Sequence, residues 1–235
     1  MQSTTRNPFT VAEQASDVRA LFIRRTYGHL AAAIAAFVLL EFALFQTALP
    51  QQLVPLMSEG MNWLIVLGCF MAVSFVADKL ARSKASSSIQ YVGLGLFIVA
   101  MAFLAMPILL VATMYSSSDV IPMAAIITGL LFGGLTATVF ITRADFSFLR
   151  TYLVVGFFVA LGIIIAGVVF NFSLGLVFSG GMVLLLAASI LYTTSNILHE
   201  YNPDQHVAAS LALFASVIIM FLYILRIVMI LSGRD

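Results

Sequence analysis

Charge is what this sequence has least of. Of 235 residues, 11 are Lys or Arg and 10 are Asp or Glu, 9% of the chain, while 62% are hydrophobic. Soluble domains run near 25% charged and about 45–50% apolar, so the chain has too little polar surface to face water. A formal net charge of +1, with no Lys/Arg-rich run, removes the field that nucleic-acid binding requires. The single cysteine, Cys69, lies inside an apolar run, which excludes a disulfide framework and a thiolate metal cluster. His29, His199 and His206 are far apart in sequence and lack an i, i+4 partner. There is no G-x-S-x-G, no H-E-x-x-H and no phosphate loop, so the chain reads as a non-enzyme without a cofactor. The first 26 residues lack the apolar core of a signal peptide, and the N-terminus reads as retained.

What the sequence has is length of apolar run. Seven stretches stand out, at 27–49, 61–79, 91–114, 120–141, 151–171, 173–195 and 207–231. Each is long enough to cross roughly 30 Å of hydrocarbon. The expected fold is an all-α membrane protein of seven transmembrane helices in one domain over 27–231, with tails at 1–26 and 232–235. Residues 18–26 either begin an amphipathic helix on the membrane surface or form a short tail. Asn171-Phe172-Ser173 is a weakly polar turn, but one helix through it would be about 67 Å long, so spans five and six are separate. Pro107 and Pro122 would kink or begin a helix, and Gly129-Leu-Leu-Phe-Gly133 offers a small-xxx-small face for close helix approach. No internal repeat of the transporter kind is visible, which disfavours a proton-coupled transporter.

Orientation follows the positive charges. The tail carries Arg6, Arg19, Arg24 and Arg25; the 80–90 loop has Arg82 and Lys84; the 142–150 loop has Arg143 and Arg150. The alternate loops, 50–60 and 115–119, carry only Glu59 and Asp119. The N-terminus is therefore expected in the cytoplasm, and seven spans put the C-terminus outside. A six-span alternative makes the last segment re-entrant and returns the C-terminus inside. The short loops suit a bacterial inner or plasma membrane.

Inside the spans, ionisable groups carry the functional signal, because an acid at the helix centre costs about 2.5–3.5 kcal/mol on insertion scales. Glu41 lies deep in the first stretch. It is read in three ways: a neutral acid bonded to a carbonyl or hydroxyl, a metal or cation site in a wet cavity, or a hydrated carboxylate of the outer leaflet. Arg226, near the end of the last span, either snorkels outward or pairs with a neighbouring acid, with Glu41 the candidate. Asp78 and Lys79 read as interfacial anchors.

Two stretches resemble the Bax-inhibitor family of membrane proteins. Thr142-Arg143-Ala144-Asp145-Phe146-Ser147-Phe148-Leu149 is similar to its T-x-x-D-F-S-x-L loop. Leu191-Tyr192-Thr193-Thr194-Ser195-Asn196 resembles the end of its sixth helix, and Leu213-Phe214-Ala215-Ser216 through Arg226 resembles its seventh helix. The resemblance implies a seven-helix fold with the last helix surrounded by the other six. It also implies similarity to calcium-leak channels, in which two aspartates near the cytoplasmic ends of helices six and seven share a proton and a basic residue. Two like charges in one small site resist ionising together, which makes a pH sensor. Here Thr193 and Ser216 stand at the sensor positions, and Ile219 replaces the helix-seven asparagine. Hydroxyls do not titrate near neutral pH, so they are expected to bond to each other or to backbone carbonyls.

Two functions follow from this. The first is a calcium or cation leak protein without the paired-aspartate gate, with Ca²⁺ as the transported ion and Glu41 as a displaced acidic site. The second is a non-conducting regulator that binds another membrane protein, such as a quality-control protease or stress factor, through helix faces and the 142–150 loop. Asp145, flanked by Arg143 and Arg150, reads as a helix N-cap and local charge pair for the fifth span.

Overall fold

The computed structural model describes residues 11, 14–59, 61–83 and 86–233. Arg6 and Lys84, named above for orientation, and residues 234–235 of the C-terminal tail lie outside the described residues. The described residues fold into eight helices: α1 (Ser16–Phe45), α2 (Leu49–Ser58), α3 (Asn62–Ala81), α4 (Ser87–Tyr115), α5 (Val120–Thr142), α6 (Leu149–Val169), α7 (Leu176–His199) and α8 (His206–Leu231). No strand occurs among the described residues. Seven of the eight are long and apolar enough to cross a membrane; α2 is not.

The face at which α1 begins is called proximal below. The α3–α4, α5–α6 and α7–α8 connections share it. The backbone N–H of Val11 donates to the Tyr201 carbonyl at 2.9 Å, and that of Phe146 to the Ser195 hydroxyl at 3.0 Å. The distal face holds α2, the α6–α7 turn and the end of α8. Because α8 is one unbroken helix of 26 residues, the re-entrant six-span alternative is not adopted.

Two boundaries differ from the sequence reading. Residues 18–26 are helical, for α1 starts at Ser16 and runs unbroken into the first span. The 50–60 connection holds α2, which starts at Leu49 with Pro50 in its first turn, where a missing N–H is harmless, and carries Pro55 inside. Its Val54 is buried with Met106 and Leu110 of α4. The α6–α7 turn falls where expected: Asn171 adopts φ 52°, a left-handed conformation that asparagine tolerates. Ser86 caps α4 by accepting from the Ile89 N–H.

The core gathers on α8, which packs against α1, α3, α4, α5 and α7, while α6 packs mainly on α7. From α1 the buried stripe is Phe22, Thr26, Leu30, Ala33, Phe37 and Glu41, at steps of three and four that keep one helix face inward. Phe214 of α8 is fully buried, with its ring centroid 6.0 Å from Phe37 and 6.0 Å from Phe97, both edge-on. The closest backbone approach is at Gly93. A Cβ there would stand 2.6 Å from the Ala77 carbonyl oxygen and 2.7 Å from the Ala81 nitrogen, so only glycine lets α3 and α4 meet. The Gly129-x-x-x-Gly133 face is not used in this way. Both residues are exposed, and a Cβ at either would meet nothing within 4 Å.

Candidate functional site

The residues named from the sequence divide between the two faces. On the proximal side, α5 ends with Arg143 in a left-handed conformation, φ 50°, which turns the chain into the 143–148 loop. Thr142 donates from its hydroxyl to the Thr138 carbonyl at 2.7 Å and accepts from the Ala144 N–H at 3.3 Å. Asp145 accepts from the Ser147 backbone N–H at 2.8 Å. That bond holds its carboxyl below the usual carboxylate value; slight burial opposes, and His199 adds a smaller push downward. Asp145 therefore closes the turn before α6. The residue at the helix N-cap position is Phe148, and among the described residues Asp145 forms no ion pair with Arg143 or Arg150.

This loop is fastened to α7 through Ser195. Its hydroxyl accepts from the Phe146 N–H and donates to the Ala144 carbonyl at 3.4 Å. His199 Nδ1 lies 2.9 Å from the Ser195 carbonyl, and since a carbonyl only accepts, that nitrogen carries the proton. The family-like loop and the family-like end of α7, 49 residues apart in sequence, thus form one unit.

At the positions matching the sensor, Thr193 and Ser216 are both buried. Of the two expected outcomes, a mutual bond or bonds to backbone carbonyls, Ser216 takes the second and adds a hydroxyl of α7. Ser216 Oγ lies 3.0 Å from Ser189 Oγ, one turn before Thr193 on α7, and donates to the Ala212 carbonyl at 3.2 Å. The Ser189 hydroxyl is then the donor between the two. The α7–α8 contact here is a pair of neutral hydroxyls, worth about 0.6–2 kcal/mol within a membrane and without titration near neutral pH.

On the distal side, Glu41 is one turn from the end of α1 and only 7% exposed. Neither carboxylate oxygen has a hydrogen-bond partner. Arg226 does not pair with it. The Arg226 guanidinium donates to the Leu174 carbonyl in the α6–α7 turn, beside an edge-on contact of Phe178 with Tyr223 at 6.0 Å. The Leu174 carbonyl lies in the turn between α6 and α7, outside any helix, and so is free to accept from an arginine near the end of α8. No group of three His, Cys, Asp or Glu among the described residues is placed to hold a metal ion.

Three proximal features were missed in the sequence. Arg82 Nε donates to both oxygens of Asp78 at 2.9 Å, and its guanidinium carbon lies 5.9 Å from the centroid of the Tyr201 ring. Burial pushes the Tyr201 phenol up, with Arg82 pulling the other way. The i, i+4 spacing of Asp78 and Arg82 was a readable signal; the aromatic partner was not. Val11 is buried and bonded to the α7–α8 loop, so this residue covers part of the face. His29 and His206, remote in sequence, have ring centroids 5.0 Å apart, and His29 also contacts the Tyr91 hydroxyl at 2.9 Å.

Comparison with known proteins joins these observations. The family model described as "Inhibitor of apoptosis-promoting Bax1" matches residues 19–233. An uncharacterized protein of Pseudomonas aeruginosa is 34% identical over 218 residues, which is 91% of this chain and 90% of that protein. Bax inhibitor 1 of Schizosaccharomyces pombe is 29% identical over 238 residues, 98% of this chain and 84% of the relative. "Modulator of FtsH protease YccA" of Escherichia coli is 34% identical over 110 residues, 46% of this chain and 50% of that protein. No solved structure matches the chain. With a family match over nearly its whole length and seven spans in the fold, the chain belongs to the Bax inhibitor family of membrane proteins.

Proposed function

We propose that this chain is a multi-pass regulator of a bacterial inner membrane, N-terminus in the cytoplasm, that docks on a membrane-anchored quality-control protease. The observation that carries this reading is the outer face of α5. Gly129 and Gly133 form a small-xxx-small surface that no helix of this bundle occupies, and Leu130 beside it is 71% exposed. In lipid, where apolar surface alone gives little drive to associate, such faces are where spans of two proteins pack. The name of the Escherichia coli relative, a modulator of FtsH protease, supports the choice of partner. The 142–150 loop, held to α7 by Ser195 and carrying Arg143 and Arg150, offers the cytoplasmic contact.

Crosslinking in native membranes tests this. A photoreactive residue at Leu130 should capture an FtsH-type protease, and one at Phe158 on α6 should not. Gly129→Leu with Gly133→Leu, which fills open space, should lower capture by roughly tenfold, about 1.4 kcal/mol. Equal capture from both positions, or none, overturns the reading.

A second reading is favoured by Glu41, whose buried and unpartnered carboxylate is unexplained by packing. In that reading the chain leaks cations past a single acidic site, without the paired-aspartate gate. Calcium-tracer flux into proteoliposomes at about pH 6 and 8 should then be insensitive to pH and lost in Glu41→Gln. Flux no higher than in empty liposomes rejects it.

A further inference from the structure

We propose that the outward face of the first half of α1 binds the headgroup of an anionic phospholipid. A groove of about 300 Å³ opens there, lined by Leu21, Arg24, Arg25, Gly28, His29 and Ala32. This is at the small end of ligand sites, and its chemistry changes along its length. Arg24 and Arg25 are exposed at one end, and neither shares an ion pair with a carboxylate among the described residues. At the other end Gly28 and Ala32 are exposed, and Ala35 and Ala36 continue the small apolar surface toward the middle of the span. A Cβ at Gly28 would meet nothing within 4 Å, so the space beside the arginines is open.

Position selects the ligand. Arg25 is the last charged residue before Glu41, so the arginine pair sits where α1 enters hydrocarbon, at the level of lipid headgroups. Guanidinium groups match phosphate oxygens with paired donors. A free phosphate would use only the arginine end. A diacyl phosphate ester uses both, its charge on Arg24 and Arg25, its glycerol over Gly28 and an acyl chain along Ala32 and Ala36. His29 is a wall rather than a ligand, because Nδ1 is committed to the Arg25 carbonyl at 2.6 Å and Nε2 to the Tyr91 hydroxyl at 2.9 Å.

Native mass spectrometry of the full chain released from detergent tests this, with phosphatidylglycerol and phosphatidylcholine of matched acyl chains as probes. The unsubstituted protein should retain phosphatidylglycerol in preference. Arg24→Gln and Arg25→Gln should each weaken that retention by about fivefold. Gly28→Leu keeps both charges but fills the groove, and should weaken it by at least as much. Inorganic phosphate at millimolar concentration should not displace the lipid. Equal retention of the two lipids overturns the proposal, as does a Gly28→Leu protein that holds phosphatidylglycerol like the parent, which would mean diffuse charge attraction without a groove. Displacement by inorganic phosphate would replace the lipid with a free anion. All three substituted residues are exposed, so the fold is kept in every arm.

Discussion

Helices α6 and α8 have nearly the same mean hydropathy and opposite fates. Of the span window in α8, 56% is buried inside the bundle, against 11% in α6. The difference lies in residue size and in hydroxyls rather than in hydropathy. Along α8 the buried set includes Ala208, Ala209, Ser210 and Ser216, small groups that let neighbours approach, interleaved with Leu213, Phe214 and Met220. Along α6 only Ala160 and Gly167 are buried, while Val154, Val155, Phe157, Phe158 and Val159 are exposed. Hydropathy states that a helix is in the membrane. Small and hydroxyl side chains state which face meets protein, because in lipid only packing and polar contacts distinguish protein from solvent.

The strongest way to break the comparison is to empty the α8 core. Phe214→Ala removes a fully buried ring lodged between Phe37 and Phe97. In soluble proteins such a change costs about 3–5 kcal/mol, part of it transfer from water. For a span whose unfolded state remains in lipid that part falls away, leaving the cavity and the lost contacts, roughly half, or about 2 kcal/mol. Unfolding by a denaturing detergent in mixed micelles should show it. A change under about 0.5 kcal/mol would mean that α8 is not where the packing energy is concentrated.

A smaller effect is expected at the polar α7–α8 contact. Ser216→Ala deletes the bond to Ser189, but the freed Ser189 hydroxyl can turn to a carbonyl of its own helix, the usual refuge of serine in a span. The same unfolding assay should register about 0.6 kcal/mol. A loss several times larger would indicate that the pair organises more than its own hydrogen bond.

Much of the fold was legible because spans are specified by run length. The seven spans and the Asn171 turn follow from it, as does the separation of the α6 and α7 helices. The connection read as a loop at 50–60 was not, since a ten-residue helix with two prolines and two glutamines resembles a turn, and only the burial of Val54 against α4 explains its formation. At the site, the order of legibility follows sequence distance. Asp78 and Arg82 are one turn apart, a spacing the sequence displays although the pair was missed, whereas Ser195 with Phe146, His29 with His206, and Arg226 with Leu174 are joined only by how the helices stack. Partner choice by Arg226 could not be read from charge alone. Glu41 offered the opposite sign, but the guanidinium bonds to the carbonyl of a turn.

The least effect, and the sharpest control, lies on α6. Phe158 is chemically the same residue as Phe214 and sits in a helix of nearly equal hydropathy, yet it is 65% exposed. In a bilayer its ring meets acyl chains in the folded and the unfolded state alike, so truncation removes almost no differential contact. Phe158→Ala should therefore change stability by less than about 0.5 kcal/mol in the assay that registers Phe214→Ala. Should it instead destabilise comparably, the exposed face of α6 must be covered by protein in the working state. A second copy or a partner would then be packing on α6, and the docking surface sought on α5 would have to be moved around the bundle.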